Sequence, residues 1–389
     1  MNGLARAVAA EARDAVAAPA GYRVCAACLM DTTDPDITFD AEGVCSHCHR
    51  HREAVRNPKL VRRLEPGALE ALVADIRRQG RGRRYDCIIG VSGGVDSTYV
   101  AWKVKALGLR PLAAHLDNGW DSELAVGNIE RTLKQLDIDL DTHVLDWREF
   151  SDLQRAFLAA STSDLEIPTD HAIYASLYAA AAREGVRHIL SGHNMATESG
   201  GVTAWAQGHA DWRYIAQIHR RFGTVPLATY PRCGVLEFVR YAVIGGIRWV
   251  PILDYMEYRK ADAVRTLQEA LGWRDYGGKH HESIFTRFYL RYFLPVKFGV
   301  DIRRLHLSSL IWSGQLSREA ALEELAEDDY PTAQQESDRD YVVKKLGLTR
   351  PEFDRLMALP RRTFHDYPSY KRLVGRVRPL MAVYHRFRR

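Results

Sequence analysis

The chain is expected to fold as an α/β protein. A parallel sheet with helices on both faces is preceded by a small metal-binding ribbon and followed by a mainly helical region. Three observations predict this. Between residues 85 and 192, short apolar β-branched runs alternate with amphipathic helical stretches. A glycine-rich hexapeptide, SGGVDS (92–97), stands between the first such run and the first helix. Two CxxC pairs, Cys25/Cys28 and Cys45/Cys48, come before it, with residues 29–44 between them.

Composition sets the outer bounds. With 389 residues, 46% hydrophobic and 26% charged, the chain is globular in usage, not disordered or collagen-like. Mean hydropathy is -0.29 and no run of about 18 apolar residues occurs, so no spanning helix is expected. Glu11, Arg13 and Asp14 interrupt the Ala-rich start where a secretory apolar core would lie, so a cytoplasmic protein is expected. A net charge of +5 permits phosphate-rich ligands without requiring nucleic acid. The basic stretch 371–389 and the acidic stretch 319–329 read as solvated faces.

Taken in order, residues 1–20 form an N-terminal arm, 21–52 the ribbon and 53–82 an Arg-rich helical linker. In the sheet domain, 83–250, YDCIIGV (85–91), PLAAHL (111–116), THVLD (142–146) and VRHILSG (186–192) are strands. STYVAWKVKAL, ELAVGNIERTLKQL, EFSDLQRAFLAA and HAIYASLYAAAAREG are the helices among them. From 251 to 389 the strand signal fades; Val264, Leu267 and Leu271 repeat at helical spacing.

The hexapeptide carries the strongest chemical signal. A loop that leaves a buried strand and opens a helix brings free backbone amides and the positive helix end to one point, which suits an anion. Gly93 and Gly94 let the backbone approach a phosphate without a Cβ. Ser92 and Ser97 can donate to phosphate oxygens, and Asp96 can hold magnesium or order the loop. Neither GxxxxGK[ST] nor GxGxxG is present. The cysteine pairs fall in the spacing window of a four-thiolate zinc site, closed and therefore structural, with His47 and His49 near enough in sequence to substitute or tune.

SGGxDS after a first strand resembles the loop of the PP-loop ATP pyrophosphatases, whose fold is adenine nucleotide alpha hydrolase-like. The resemblance implies that Ser92, Gly93, Gly94, Val95, Asp96 and Ser97 bind the pyrophosphate of ATP. His115, Asp117 and Asn118 in HLDNGW would lie beside adenine and ribose. Gly192, His193 and Asn194 in SGHNMATES would lie near the ribose or α-phosphate, with Glu198 a second magnesium ligand. Two further stretches, MDTTDPDITFDAEGVCSHC and residues 272–322, resemble bacterial N-acetyl sugar amidotransferases of lipopolysaccharide O-antigen and nonulosonic-acid biosynthesis. That resemblance spans roughly 22–325. It implies adenylation of an acetamido oxygen on a nucleotide-linked sugar, then displacement of AMP by ammonia.

No glutaminase Cys-His-Glu module is evident, so the resemblance implies a separate glutaminase, with a cyclase-like partner that channels ammonia. KHHES (279–283) is the expected reacting end. Lys279 would stabilise charge on the α-phosphate, His280 or His281 move a proton, and Glu282 orient a histidine or bind magnesium. Ser283 and Arg287 would hold substrate, Arg287 in a fork. Arg303, His306, Ser308 and Ser309 would line the sugar-nucleotide pocket, whereas Tyr289, Tyr292, Phe293 and Phe298 read as core or pocket wall. The cofactors implied are ATP, Mg2+ and structural Zn2+. A homo-oligomer is left open, and neither a membrane nor nucleic acid is expected as a partner. The main alternative is a PP-loop tRNA thiolase, favoured by the basic stretches and disfavoured because Cys87 and Cys233 form no CxxC. A zinc-ribbon binding module on a degenerate ATPase is a more distant one.

Overall fold

The computed structural model describes residues 21–206, 208–327 and 330–371. The expected arm 1–20 and the basic stretch beyond 371 lie outside the described residues. The described residues begin with a cysteine ribbon that leads into α1 (Ser46–Val55) and α2 (Ala68–Gln79). The sheet domain then runs β1 (Cys87–Gly90), α3 (Val95–Ala106), β2 (Pro111–Asp117), α4 (Glu123–Leu136), β3 (Asp139–Val144), α5 (Trp147–Ala160), α6 (Ile167–Arg183) and β4 (His188–Ser191). After α7 (Trp212–Phe222) comes β5 (Arg248–Pro251), then α8 (Lys260–Leu271). The C-terminal region holds α9 (Ile284–Phe288), continued by a π-helix to Phe298, and α10 (Arg303–Trp312), α11 (Arg318–Leu325), α12 (Thr332–Lys345) and α13 (Arg350–Ala358).

The strands pair in parallel in the order β3-β2-β1-β4-β5. Successive residues of β1 point to opposite faces. Ile89 packs with Val100, Val104, Ile129 and Leu267 from α3, α4 and α8, while Ile88 packs with Leu177, Tyr178 and Ala181 from α6. Both faces are therefore covered, as the continuous apolar runs require. The expected α/β sheet, cysteine ribbon and helical C-terminal region are all present. The fifth strand was not anticipated: RWVP is short, sits at the sheet edge and ends in a proline, so it carries no distinctive apolar run. β3 begins three residues earlier than expected, because an edge strand exposed at nearly every position lacks a burial pattern to mark it.

Strand order reverses its direction of growth at β1, with β2 on one side and β4 on the other. Such a switch point opens a crevice beyond the carboxyl ends of the two strands. The loops after β1 and β4 are SGGVDS and GHNMATES, so the topology sets them face to face.

Candidate active site

At the end of β1 the backbone turns through Gly93, whose φ is +79°. A Cβ there would lie 2.6 Å from the Ala125 carbonyl oxygen of α4, so only glycine lets this loop rest on that helix. Ser97 Oγ accepts from the Ser92 amide at 3.2 Å and donates to the Gly94 carbonyl at 3.1 Å. The start of α3 has no side-chain cap. Its Val95 amide instead donates to the Tyr276 hydroxyl at 3.3 Å, and the Trp273 indole N–H donates to the Gly93 carbonyl at 2.9 Å.

The loop after β4 closes on the first. A Cβ on Gly192 would come 3.0 Å from the Asp96 carbonyl carbon. Asn194, buried, holds the turn by donating to the Gly192 carbonyl at 3.0 Å and bonding Thr197. Glu198 Oε2 meets His193 Nδ1 at 2.8 Å, and its Oε1 pairs with Lys279 Nζ at 3.1 Å. Asp96 accepts a short hydrogen bond from the Tyr258 hydroxyl. Burial, then the neighbouring Glu198, pushes the Asp96 carboxyl up. Burial would raise Glu198 as well, but Lys279 and the His193 hydrogen bond outweigh it and hold that carboxyl low.

KHHES arrives from the opposite side, pinned to the loop after β2. Ser122 N–H donates to the Glu282 carbonyl at 2.8 Å, Ile284 N–H donates to the Trp120 carbonyl at 2.9 Å, and Ser283 bridges Asp121. His280 has φ +65°, a strained conformation for a residue with a Cβ, and its Nδ1 stands 3.8 Å from Glu282 Oε1. Glu282 Oε2 is buried with no hydrogen-bond partner. His306 stacks edge-on to His280 at 5.4 Å between centroids, and burial drives its pKa well below the usual imidazole value. It is therefore neutral and can act as acceptor as well as donor.

Two cavities, of about 750 and 830 Å3, meet across Ser92, Ser97, Gly192, His280, Glu282 and His306. His115, Asn118, Ser283 and Tyr289 line the first. Gly94, Val95, Asp96, His193, Lys279, His281 and Arg303 line the second. His115 stands with Nδ1 2.9 Å from the Val91 carbonyl and Nε2 3.2 Å from Asp121, whose hydrogen bond raises its pKa against the opposing effect of burial.

Several expected site residues sit elsewhere. Arg287 spends its fork on Asp338, at 2.7 and 2.9 Å, and lines neither cavity. Ser308 and Ser309 are buried: Ser308 accepts from the Leu29 amide at 3.0 Å, and Ser309 bonds its own helix. Asp117 caps the following turn through the Gly119 amide at 2.8 Å and lines neither cavity. Arg303 reaches the second cavity but shares its guanidinium with Asp301 at 2.7 Å. Tyr292, Phe293 and Phe298 were expected as core or pocket wall, and they do lie in the core or against it.

The four cysteine sulfurs lie within 4.8 Å of one another, all buried. The Cys28–Cys45, Cys45–Cys48 and Cys25–Cys48 separations are 3.6, 3.7 and 3.8 Å. A tetrahedral ion with Zn–S bonds of about 2.3 Å sets its sulfurs about 3.8 Å apart, so the donor set fits a single zinc ion. Amide N–H groups of Ala27, Met30 and Cys45 point at these sulfurs, as does the Trp312 indole at 3.2 Å. His47 and His49 bind Asp34 and Asp40 instead and take no part. The ribbon is fastened to α10 through Arg304–Asp31 at 2.9 Å and the Ser308 contact.

Sequence reasoning passed over Tyr258, Trp273 and Tyr276. The last two lie within the GWRDYGG lead-in to KHHES, and that proximity was the available signal. It also passed over Asp164, Glu166 and Asp170, which line the first cavity near the start of α6. Acids there look like ordinary partners of the helix dipole.

Among known proteins, residues 282–381, about a quarter of the chain, match the family model described as "LPS biosynthesis protein WbpG-like, C-terminal domain". No curated protein matches the chain. Solved structures that resemble it include the NH3-dependent NAD synthetase of Campylobacter jejuni, at 16% identity over 39% of this chain and 71% of that one, TM-score 0.27. The NMN synthetase of Francisella tularensis matches at 14% identity over 69% and 94%, TM-score 0.35. The U34-tRNA thiolase NcsA of Methanococcus maripaludis matches at 11% over 75% and 80%, TM-score 0.32. No helix of the described residues is long and apolar enough to cross a membrane.

Proposed function

We propose that the protein is an ATP-dependent, AMP-forming amidotransferase that converts an acetamido group of a nucleotide-linked sugar to acetamidino, in surface polysaccharide biosynthesis. The observation that carries this reading is the convergence of SGGVDS with Lys279, His280 and Glu282 in one cleft, where a stretch similar to an LPS biosynthesis family begins.

Two carboxylates, Asp96 and Glu198, face an amide-rich helix start that suits phosphate. A phosphate chain would be repelled there unless a divalent cation lay between; Asp96 and Glu198 are the hard oxygen donors that would hold magnesium, which would neutralise charge on the departing pyrophosphate. The SGGVDS amides and serine hydroxyls hold that pyrophosphate. Lys279, steadied by Glu198, is placed to stabilise negative charge on the α-phosphate. The acetamido oxygen attacks the α-phosphorus, the α–β bridge breaks, and pyrophosphate leaves. An O-adenylyl imidate forms, with AMP as a good leaving group in place of a poor one. Ammonia adds to the imidate carbon, His280 accepts a proton, and AMP departs.

Ammonia would come from a separate glutaminase with a cyclase-like partner, in the cytoplasm. Cys87 is fully buried with its thiol pushed up by burial, and burial pushes Cys233 up to about 11. Neither is a ready nucleophile at neutral pH, which counts against sulfur transfer to tRNA.

The test is an assay with purified protein, ATP, an ammonium salt and a panel of UDP- and CMP-linked acetamido sugars. AMP together with a product lighter by the difference between O and NH supports the reading. AMP formed only with tRNA and a sulfur donor would move the function to base thiolation.

A further inference from the structure

Helix α10 stands between the cysteine ribbon and the cleft and presents a different face to each. Arg303, His306 and Leu310 follow one another at helical spacing and line the second cavity, and His306 lines the first as well. Arg304, Ser308 and Trp312 form a separate stripe turned to the ribbon. Arg304 pairs with Asp31 at 2.9 Å and donates to the Leu29 carbonyl at 3.3 Å. Ser308 Oγ accepts from the Leu29 amide at 3.0 Å. The Trp312 indole N–H donates to Cys48 Sγ at 3.2 Å, and its ring stacks on His51 with centroids 5.6 Å apart.

These grips fall inside the cysteine knuckle itself. Leu29 and Asp31 lie in the turn that follows Cys28, where the Cys25 amide donates to the Met30 carbonyl at 2.8 Å. Two thiolates directed at one ion set the shape of that turn. Leu29, Asp31, Arg304 and Ser308 are all buried, so water does not take over a contact that is lost. Arg318, at the start of α11, adds a second clasp by donating to the Cys25 and Cys28 carbonyls at 3.3 and 3.4 Å. On the cleft side, His306 meets His280 edge-on at 5.4 Å. A Cβ on Gly200, just past the loop after β4, would lie 2.5 Å from Leu305 and 2.9 Å from Trp312. One helix therefore touches the four-cysteine cluster, the end of the β4 loop and KHHES.

We propose that the ribbon is a positioning element for the cleft: by gripping Arg304, Ser308 and Trp312 it fixes the rotation and height of α10, and so holds His306 against His280. This goes beyond holding the fold, and it rests on the amidotransferase reading for the part that His280 plays. Partners just outside a metal's ligands tune what the ligands do, and here the coupling also runs outward, from the Cys48 thiolate through Trp312 to the cleft. If the knuckle relaxes, α10 turns and the His306 ring moves with it. A displacement of about 1 Å beside a reacting group costs roughly 10²-fold in rate.

The experiment compares four forms below their melting temperatures. They are the zinc-loaded protein, the same protein stripped with a chelator, Cys45→Ser, and the double variant Ser308→Ala/Trp312→Phe, which keeps all four cysteines. Three readouts are taken: pyrophosphate affinity by calorimetry, the ring nitrogen signals of His306 and His280 in 15N-histidine protein, and kcat for sugar-dependent AMP formation with ammonium chloride. The two histidines are assigned with His306→Gln and His280→Gln. Pyrophosphate affinity is expected to persist in all four forms, because SGGVDS makes no contact with the ribbon. Both ring signals should shift when zinc is removed and return when it is restored to the stripped protein. Values of kcat should fall by roughly tenfold or more in the stripped protein and Cys45→Ser, and less in the double variant, with KM for ATP unchanged. A stripped protein that keeps both ring signals and its kcat overturns the proposal, since the ribbon then only holds the fold. So does a parallel loss of pyrophosphate binding, which reports general loosening. If the stripped chain unfolds, the ring signals of the double variant decide, and unshifted signals there overturn the proposal. A zinc-loaded protein that turns over no sugar overturns the amidotransferase reading alone, and the ring signals still decide whether ribbon and cleft are coupled.

Discussion

The ribbon and the cleft both set histidines near carboxylates, yet they are opposites. In the ribbon every cysteine sulfur has three sulfur neighbours, and two of its three histidines are matched to aspartates, His47 at 2.7 Å and His49 at 2.8 Å, while His51 keeps a buried Nδ1 without a partner and stacks on Trp312. In the cleft Glu282 Oε2 has no partner, and His280 sits at a φ its side chain disfavours. Histidines next to a motif looked equivalent in sequence. What separates His47 from His280 is whether the folded chain satisfies them. Satisfied groups hold a fold together, whereas unsatisfied buried groups are retained against their cost and mark where something else binds.

The comparison breaks if the two regions respond alike to substitution. The largest effect is expected in the ribbon. Cys45→Ser should lose bound zinc and lower the melting temperature by roughly 3–5 °C, corresponding to about 3 kcal/mol for a chain of 389 residues. Full metal content and unchanged melting, measured by elemental analysis and calorimetry, would refute a structural site.

Asp96→Ala tests the other side. Sugar-dependent AMP formation should fall by roughly 10²–10³, while melting changes little, since the carboxylate is held raised by burial and by Glu198. Retained turnover would remove the phosphate-loop assignment.

Glu166→Gln sharpens the contrast because its sign is unusual. Its folded-state carboxyl is raised to about 7, with Asp164, Asp170, His280 and Tyr289 facing it. A raised carboxyl carries no penalty below its unfolded value. It costs stability as pH climbs from the unfolded range toward 7, and that cost persists above. The variant should therefore melt like wild type near pH 4 and be more stable by about 1–2 kcal/mol at pH 8. Equal melting at both pH values would mean the acid is better solvated than the cavity implies.

The sheet and the glycine-rich loop were legible because their signals are local. CIIG buries both faces, SGGVDS follows directly, and Gly93 is required by one contact with Ala125. Cysteine spacing was legible for the same reason. Distant pairings were not. Nothing near Arg287 announces Asp338, so its fork looked free for substrate. Nothing near Ser308 announces Leu29, so a serine that anchors the ribbon looked like pocket lining. Tyr276 meets Val95 only because α3 and the lead-in to KHHES converge in space. β5 escaped because an edge strand of four residues ending in proline has no periodicity to read.

His280→Gly is expected to have the smallest effect on stability and gives the sharpest comparison. At φ +65° a glycine adopts the same backbone without Cβ strain, which favours the variant by about 0.5–1 kcal/mol, although glycine also gains freedom in the unfolded chain. The imidazole removed makes a long 3.8 Å approach to Glu282 and an edge-on contact with His306, so the native interaction lost is small. Melting should therefore stay level or rise slightly. Turnover should fall, since the ring lies between both cavities beside His306. His280→Ala keeps the strain and loses the ring, so it should melt below the glycine variant at matched activity. If alanine and glycine melt together, the backbone there is not strained. If both retain full activity, the strained turn serves the path of the chain and not the reaction.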